Sequence, residues 1–180
     1  MSPKVSQVTY TIDPAHSTAG FKVRHLMVSN VRGEFSGVTG TVVFDPESPH
    51  LSKVDARIDA TTIHTRDEQR DAHLKSADFL DVEKFPTITF VSKKISGSDG
   101  EWKVTGDLTL HGVTKEVTLD VEGPAPEAKD PWGNLKTGAS ATTKIDRKDF
   151  GLVWNMALET GGVLVADQVH ITLELELLRT

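Results

Sequence analysis

A chain of 180 residues with a formal net charge of −6 is long enough for one domain with a substantial core and too short for two of ordinary size. Its 20 lysines and arginines are interspersed with 26 acidic residues, so no concentrated basic run is present of the kind phosphate backbones require, and nucleic acid is not expected as a partner. The absence of cysteine excludes disulfides, thiolate metal sites and thiol nucleophiles.

Met1 to Gln7 lacks the apolar central run of a signal peptide. The expected location is cytoplasmic, or periplasmic or secreted if a leader was removed. No stretch reaches the apolar length of a membrane-spanning helix, so no integral membrane segment is expected. Val8, Tyr10 and Ile12 then alternate with polar residues up to a break at Asp13-Pro14, and Phe21, Val23, His25 and Met27 continue on one face of a second strand. Val31, Gly33 and Phe35 lead to Gly37 and Gly40, where a bulge or corner is expected, before Val42 and Phe44 resume the alternation. Val54, Ala56, Ile58 and Ala60 form a strict period-two face.

Between Thr65 and Phe90 the pattern changes. Thr65 followed by Glu68 has the form of a capping box, which predicts a helix starting at Thr65. Only Ala72 and Leu74 are apolar in its first turns, so the helix must lie on something larger, anchored by Phe79, Leu80 and Val82. Pro86 forces Phe85 toward extended backbone, and Ile88 and Phe90 open the next strand. Asp99-Gly100 and His111-Gly112 are hairpin turns that join three antiparallel strands. The Pro-rich stretch Gly123 to Gly133 reads as an exposed loop, Gly138 to Ile145 as a strand of small residues, and Arg147 to Leu158 as an irregular bridge containing Trp154. Val169, Ile171, Leu173, Leu175 and Leu177 mark the last strand.

About eight antiparallel strands predict an all-β fold, an up-and-down barrel or a sandwich; the barrel is favoured because almost every strand has its own apolar face and the helical insert is available to cap one end, with residues 1–180 as a single domain. The inward faces predict a lining of Phe21, Val23, Phe35, Val42, Ile58, Ile88, Phe90, Leu108, Leu119, Ala141 and Leu173. Ala56, Ala60, Gly106, Ala139 and Ala141 are small enough to leave interior room, the alternative being a solid core in which they interdigitate with the large side chains.

Several segments, in order, resemble the YceI-like family of polyisoprenoid-binding, lipocalin-like barrel proteins. They are Asp13-Pro14-Ala15-His16-Ser17, Phe21-Lys22-Val23-Arg24-His25, Val31-Arg32-Gly33-Glu34-Phe35, Thr65 with Arg70-Asp71-Ala72-His73-Leu74, Phe85-Pro86-Thr87-Ile88-Thr89-Phe90, Gly106 to Lys115, and Arg147-Lys148-Asp149-Phe150-Gly151. The resemblance implies an elongated apolar cavity and binding of a long-chain lipid such as a polyprenyl chain, an isoprenoid quinone or a fatty amide.

The expected function is therefore binding and transport or storage of an amphipathic lipid, without catalysis and with no cofactor other than that ligand. His25, Arg70, Asp71 and His73 are candidates for a polar rim that meets a headgroup; for Arg70, Asp71 and His73 the competing role is to hold the cap in place. His16, His25, His64, His73 and His111 have no local metal-binding spacing, and no metal is expected. The sequence offers no nucleophile elbow, phosphate loop or dinucleotide-binding unit, which leaves a hydrolase as the weaker alternative beside a solid-cored protein-interaction or stress-response module. An exposed sheet edge would allow two barrels to pair as a homodimer.

Overall fold

The structure, a computed structural model, describes residues 7–159 and 162–180. Its strands are β1 (Val8–Ile12), β2 (Thr18–His25), β3 (Ser29–Phe35), β4 (Val38–Phe44), β5 (Lys53–Asp59), β6 (Thr87–Ser98), β7 (Glu101–Leu110), β8 (Val113–Glu122), β9 (Ala128–Lys129), β10 (Leu135–Asp146) and β11 (Val165–Arg179). One α-helix, α1 (Glu68–Lys75), lies between β5 and β6.

All pairings are antiparallel, and eight strand positions close into a ring in the order β11, β1, β4, β5, β6, β7, β8, β10 and back to β11. Closure depends on the length of β11. One edge pairs with β10 from Gln168 to Leu178, while the other pairs first with β2 and then with β1. The break between β1 and β2 is bridged by Asp13 N–H, which donates to Glu176 O at 2.9 Å, and by Ser17 Oγ, which accepts from Glu176 N–H at 3.0 Å. β1 and β2 thus act as one kinked barrel strand.

Local chemistry accounts for most turns. Asp99-Gly100 and His111-Gly112 each take positive φ at both positions, as the tight hairpins require (55° and 78°, 54° and 71°). Gly37 marks the expected corner, whereas Gly40 marks neither a corner nor a bulge. The corner falls at Ser36–Gly37, between β3 and β4, while Gly40 sits opposite Ala56 in an unbroken register. A side chain at Gly40 would strike the backbone of Asp55 and Ala56, so this glycine allows two strands to approach. The register shifts occur instead in β6, between Ser92 and Lys94, and in β11, between Val165 and Val169.

The helix begins later than the capping box predicts. Arg66 adopts a left-handed φ of 66°, which breaks the run from Thr65, and the Asp67 carboxylate accepts from Arg70 N–H at 3.0 Å as the N-cap. The loop after β8 is not wholly irregular, since Ala128–Lys129 pairs with Leu135 and Lys136. Among the described residues, no helix is long and apolar enough to cross a membrane.

The buried apolar residues form three clusters around the barrel wall. One, with Ile63, Leu80, Ile88, Leu110, Phe150 and Leu152, lies under the helical insert. A second, with Phe90, Ile95, Trp102, Val104, Leu119 and Ala141, lies toward the opposite end. The third, with Tyr10, Ile12, Ala19, Val38 and Leu177, lines the seam. Some of the expected interior room is taken: a Cβ at Gly106 would lie 2.6 Å from Phe90 Cζ, so that glycine accommodates an aromatic ring of the protein itself.

Candidate functional site

The clusters leave a central cavity of about 630 Å³, within the range of roughly 300–1,000 Å³ common for small-molecule sites. Every strand of the ring contributes apolar side chains to it: Leu173 and Leu175 from β11, Ile12 from β1, Val42 from β4, Ile58 from β5, Phe90 from β6, Leu108 from β7, Leu119 from β8 and Ala141 from β10. Phe21, Val23, Phe35 and Ile88 also border the cavity. The interior is therefore lined and not filled by the large residues.

The cavity reaches solvent at one end. Of the residues that border it, Arg24, Asp67 and Gln69 are the exposed ones, and all three lie where β2 ends and α1 begins. His25, Arg70 and His73 stand at the same mouth. Asp71 does not border the cavity. Its Oδ1 accepts from Thr65 N–H at 2.8 Å and from Thr65 Oγ1 at 2.5 Å, because Thr65 is buried and both donors need an acceptor there. Arg70 completes the knot by donating from Nε to Thr65 Oγ1 and from Nη2 to Thr65 O, at 2.8 and 2.7 Å. Burial pushes the Asp71 carboxyl up, but the two bonds from Thr65, with His64 and Lys75 nearby, outweigh it and hold the group below its ordinary value. Asp71 is thus a fastener of the lid, and Arg70 both fastens the lid and borders the mouth.

His73 joins the lid to the far side of the opening. Its ring meets Phe79 edge-on at 5.0 Å and Trp154 at 4.8 Å, while Nε2 lies 2.9 Å from Asp78 Oδ2. Trp154 is held in turn by Arg147, which is 3% exposed and donates to the carbonyls of Leu152, Trp154 and Ala166 at 2.6, 2.8 and 2.9 Å. Burial lowers the guanidinium pKa from its ordinary value, against the pull of Asp167 and Asp146. Strand alternation does not point to Trp154, Leu164, Arg24, Asp67 or Gln69, which border the cavity from connections, a strand end or the first turn of α1. Trp154, in the bridge that opens with Arg147-Lys148, is the one signal in the sequence that could have pointed to this part of the lining.

The other histidines are dispersed. His16 Nδ1 lies 2.8 Å from Asp13 Oδ2, His64 Nδ1 3.5 Å from Asp71 Oδ2, and His111 Nδ1 3.0 Å from Phe150 O. Among the described residues, Asp13, His16 and Glu176 bring three metal-ligating atoms within 4.8 Å of one another. Lys136 already supplies the cation there, with Nζ 2.9 Å from Glu176 and 3.5 Å from Asp13. Ser17, next to His16 in the chain, is buried in the seam and bonded to the Glu176 backbone, so the two do not form a nucleophile and base pair.

The family model described as the YceI-like domain matches residues 10–177. The UPF0312 protein SAS2572 of Staphylococcus aureus strain MSSA476 is 42% identical over 160 residues, covering 89% of this chain and 91% of that protein. The crystal structure of the Campylobacter jejuni YceI protein superposes with a TM-score of 0.73 at 34% identity, over 87% of this chain and 90% of that one. A polyisoprenoid binding domain from Saccharophagus degradans shares the fold alone, with a TM-score of 0.69 at 14% identity, over 96% of this chain and 99% of that one. With the match running from the middle of β1 to the buried end of β11, and so across every strand that walls the cavity, the chain belongs to the YceI-like family.

Proposed function

We propose that the protein binds a long-chain amphipathic lipid, an isoprenoid such as a polyprenyl chain or an isoprenoid quinone, in the barrel interior, and carries or stores it without catalysis. The observation that carries this reading is a cavity of about 630 Å³ to which all eight ring strands give apolar side chains and whose exposed polar lining is confined to one mouth. Such a space suits a chain that buries its tail and leaves a headgroup near Arg70, His73 and His25. Burying roughly twenty methylenes at about 0.8 kcal/mol each supplies on the order of 16 kcal/mol gross, before the cost of ordering the ligand. The tail alone suffices for affinity, and the rim need only orient it. The description of the Saccharophagus domain as polyisoprenoid binding supports an isoprenoid as the chain, and the YceI-like match indicates no catalytic family.

Native mass spectrometry of the protein as purified, paired with organic extraction, should find a long-chain lipid released in proportion to protein. A protein that leaves its host empty and takes up no added polyprenol would sink the proposal. Ala141→Trp sharpens the test, since Ala141 is 5% exposed and faces the cavity. The indole has only the ligand's space to enter, so the variant should remain folded and lose uptake.

A further inference from the structure

We propose that the mouth end of the barrel docks on an anionic lipid bilayer, with the β2–β3 hairpin tip and the chain beside it entering the interface and a row of cations on the outer wall facing the headgroups. The inference rests on the lipid-carriage reading, because it names the surface from which the cavity would be filled or emptied.

The first observation is where the exposed apolar residues lie. Leu26, Met27 and Val28 form the hairpin tip and are 41%, 47% and 75% exposed; Val153, Met156 and Val163 are 63%, 55% and 37% exposed. The segments of Leu26, Met156 and Val163 are neighbours. Leu26 N–H donates to Leu164 O, Leu164 N–H donates to Met156 O, and Ala157 bridges Val163, so three segments lie side by side at the mouth. Clustered exposed apolar groups beside a ligand opening mark an interaction surface, whereas single ones do not. Leu164 and Trp154 of the same segments border the cavity, so the patch is continuous with its entrance.

The second observation is the cost of the tip. Leu26 and Met27 both adopt left-handed backbone, with φ of 54° and 60°. The loop has three residues between the paired His25 and Ser29, and its tight turn, closed by Val28 N–H donating to His25 O at 3.2 Å, has positive φ at both central positions; such a turn favours Asn-Gly, and large apolar side chains there are disfavoured by the backbone and exposed to water. Neither side chain borders the cavity.

The third observation is charge. Across the outer wall, Arg32 pairs in register with Lys22, Lys22 with His170, and His170 with Lys144, which places four basic side chains in one row over four strands. Like charges directly opposite one another oppose sheet formation. Among the described residues, Arg32, Lys22 and Lys144 have no ion-pair partner, and the nearest acidic group of the same groove, Asp120, is engaged by Lys103. Desolvation, with Lys22 and Lys144 alongside, holds the His170 imidazole below its ordinary value. Arg24 carries the positive stripe from this row to the tip, where it donates to Met27 O. In a chain of net charge −6, an unneutralised basic row that ends at an apolar tip complements an anionic membrane surface.

The test is flotation of the purified protein with vesicles of phosphatidylcholine alone and of phosphatidylcholine containing one-third phosphatidylglycerol. Wild type should bind the mixed vesicles and bind the neutral ones much less. The double variant Leu26→Asn, Met27→Gly installs the residues the turn prefers, so it should fold at least as well, keep its lipid content, and lose binding by about tenfold or more. Lys22→Gln with Lys144→Gln should weaken binding to the mixed vesicles about fivefold per cation and leave neutral vesicles unaffected. Unchanged vesicle binding in the folded tip variant, or unchanged preference for phosphatidylglycerol in the lysine variant, overturns the docking surface. Lipid content, measured separately, distinguishes the two proposals. A lipid-loaded wild type that ignores both vesicles overturns docking alone, and an empty one that binds the mixed vesicles supports docking while removing the carriage reading.

Discussion

The two ends of the barrel solve the same problem, closing a hollow cylinder, with different chemistry. At the end away from α1, the ring of Trp102 is buried, meets Phe44 edge-on at 5.5 Å and donates from Nε1 to Gly123 O at 2.7 Å. The loop after β8 then crosses the opening and is fastened on the far side, where Tyr10 donates to Glu127 at 2.7 Å and Arg179 pairs with the same carboxylate. Burial, followed by the Glu127 contact, pushes the Tyr10 phenol up to about 12, so that bond persists across the working range of pH. At the mouth, the cover is a polar helix with no buried residue of its own, held by a knot of Thr65, Arg70 and Asp71 and by the His73 ring. A plug of aromatic and apolar groups resists opening; a lid held by a few polar contacts can open without unfolding the wall. The difference implies that one end carries stability and the other carries exchange.

The largest effect should come from the plug. Trp102→Ala removes a fully packed indole and its hydrogen bond, and should cost about 3–5 kcal/mol of stability, read as a fall in the denaturant midpoint at unchanged slope. If the variant instead unfolds at the wild-type midpoint, the end described as the plug is not a stability element and the contrast between the ends fails.

A smaller loss is expected at the knot. Thr65→Val keeps the shape of a buried side chain but deletes the hydroxyl that joins Arg70 to Asp71, and should cost about 1–2 kcal/mol. Its pH dependence follows from Asp71. A carboxyl held below its ordinary value when folded stabilises the protein above the unfolded carboxylate range, and that contribution is lost as pH falls through the lower folded value. The difference between wild type and Thr65→Val should therefore be full near neutrality and shrink under acid, below the pH at which free carboxylates titrate. A difference that stays constant into acid would show that the hydroxyl acts without the Asp71 charge.

The barrel wall was legible in the sequence because each strand reports its buried face every second residue. Val54, Ala56 and Ile58, or Phe90 opposite Leu108, can be placed from alternation alone. What alternation does not encode is how connections fold over the ends. Thr65 and Glu68 match a capping box, yet Arg66 turns left-handed between them and Asp67 takes over the cap, because Thr65 is committed to Asp71 in the tertiary structure. Asp71 and His73, two residues apart on one short helix, have unlike surroundings for the same reason: one faces the connection from β5, and the other meets a tryptophan from a segment 81 residues further along. Trp154 lies outside any periodic run, and its position depends on the carbonyls gathered by Arg147. The hairpin tip at Leu26-Met27 was hidden because Met27 continues the apolar alternation of β2 and neither residue carries the usual turn chemistry.

His73→Ala separates exchange from stability most cleanly. The imidazole is partly exposed, with 40% of its side-chain surface accessible, and contributes two edge-on ring contacts and one pairing with an exposed carboxylate, Asp78. Contacts of this kind are worth about 0.5–1.5 kcal/mol each at most, and the exposed pair adds little. The variant should therefore lose about 1 kcal/mol of stability, less than Thr65→Val. The same ring is the bridge from the helix to Trp154 across the opening, so its loss should matter more for the barrier to opening. Displacement of a fluorescent polyprenyl analogue, followed by stopped flow, should be several-fold faster in His73→Ala and unchanged in Trp102→Phe, which retains a ring in the plug. Acceleration in the plug variant with none in the lid variant would place the exit at the opposite end of the barrel.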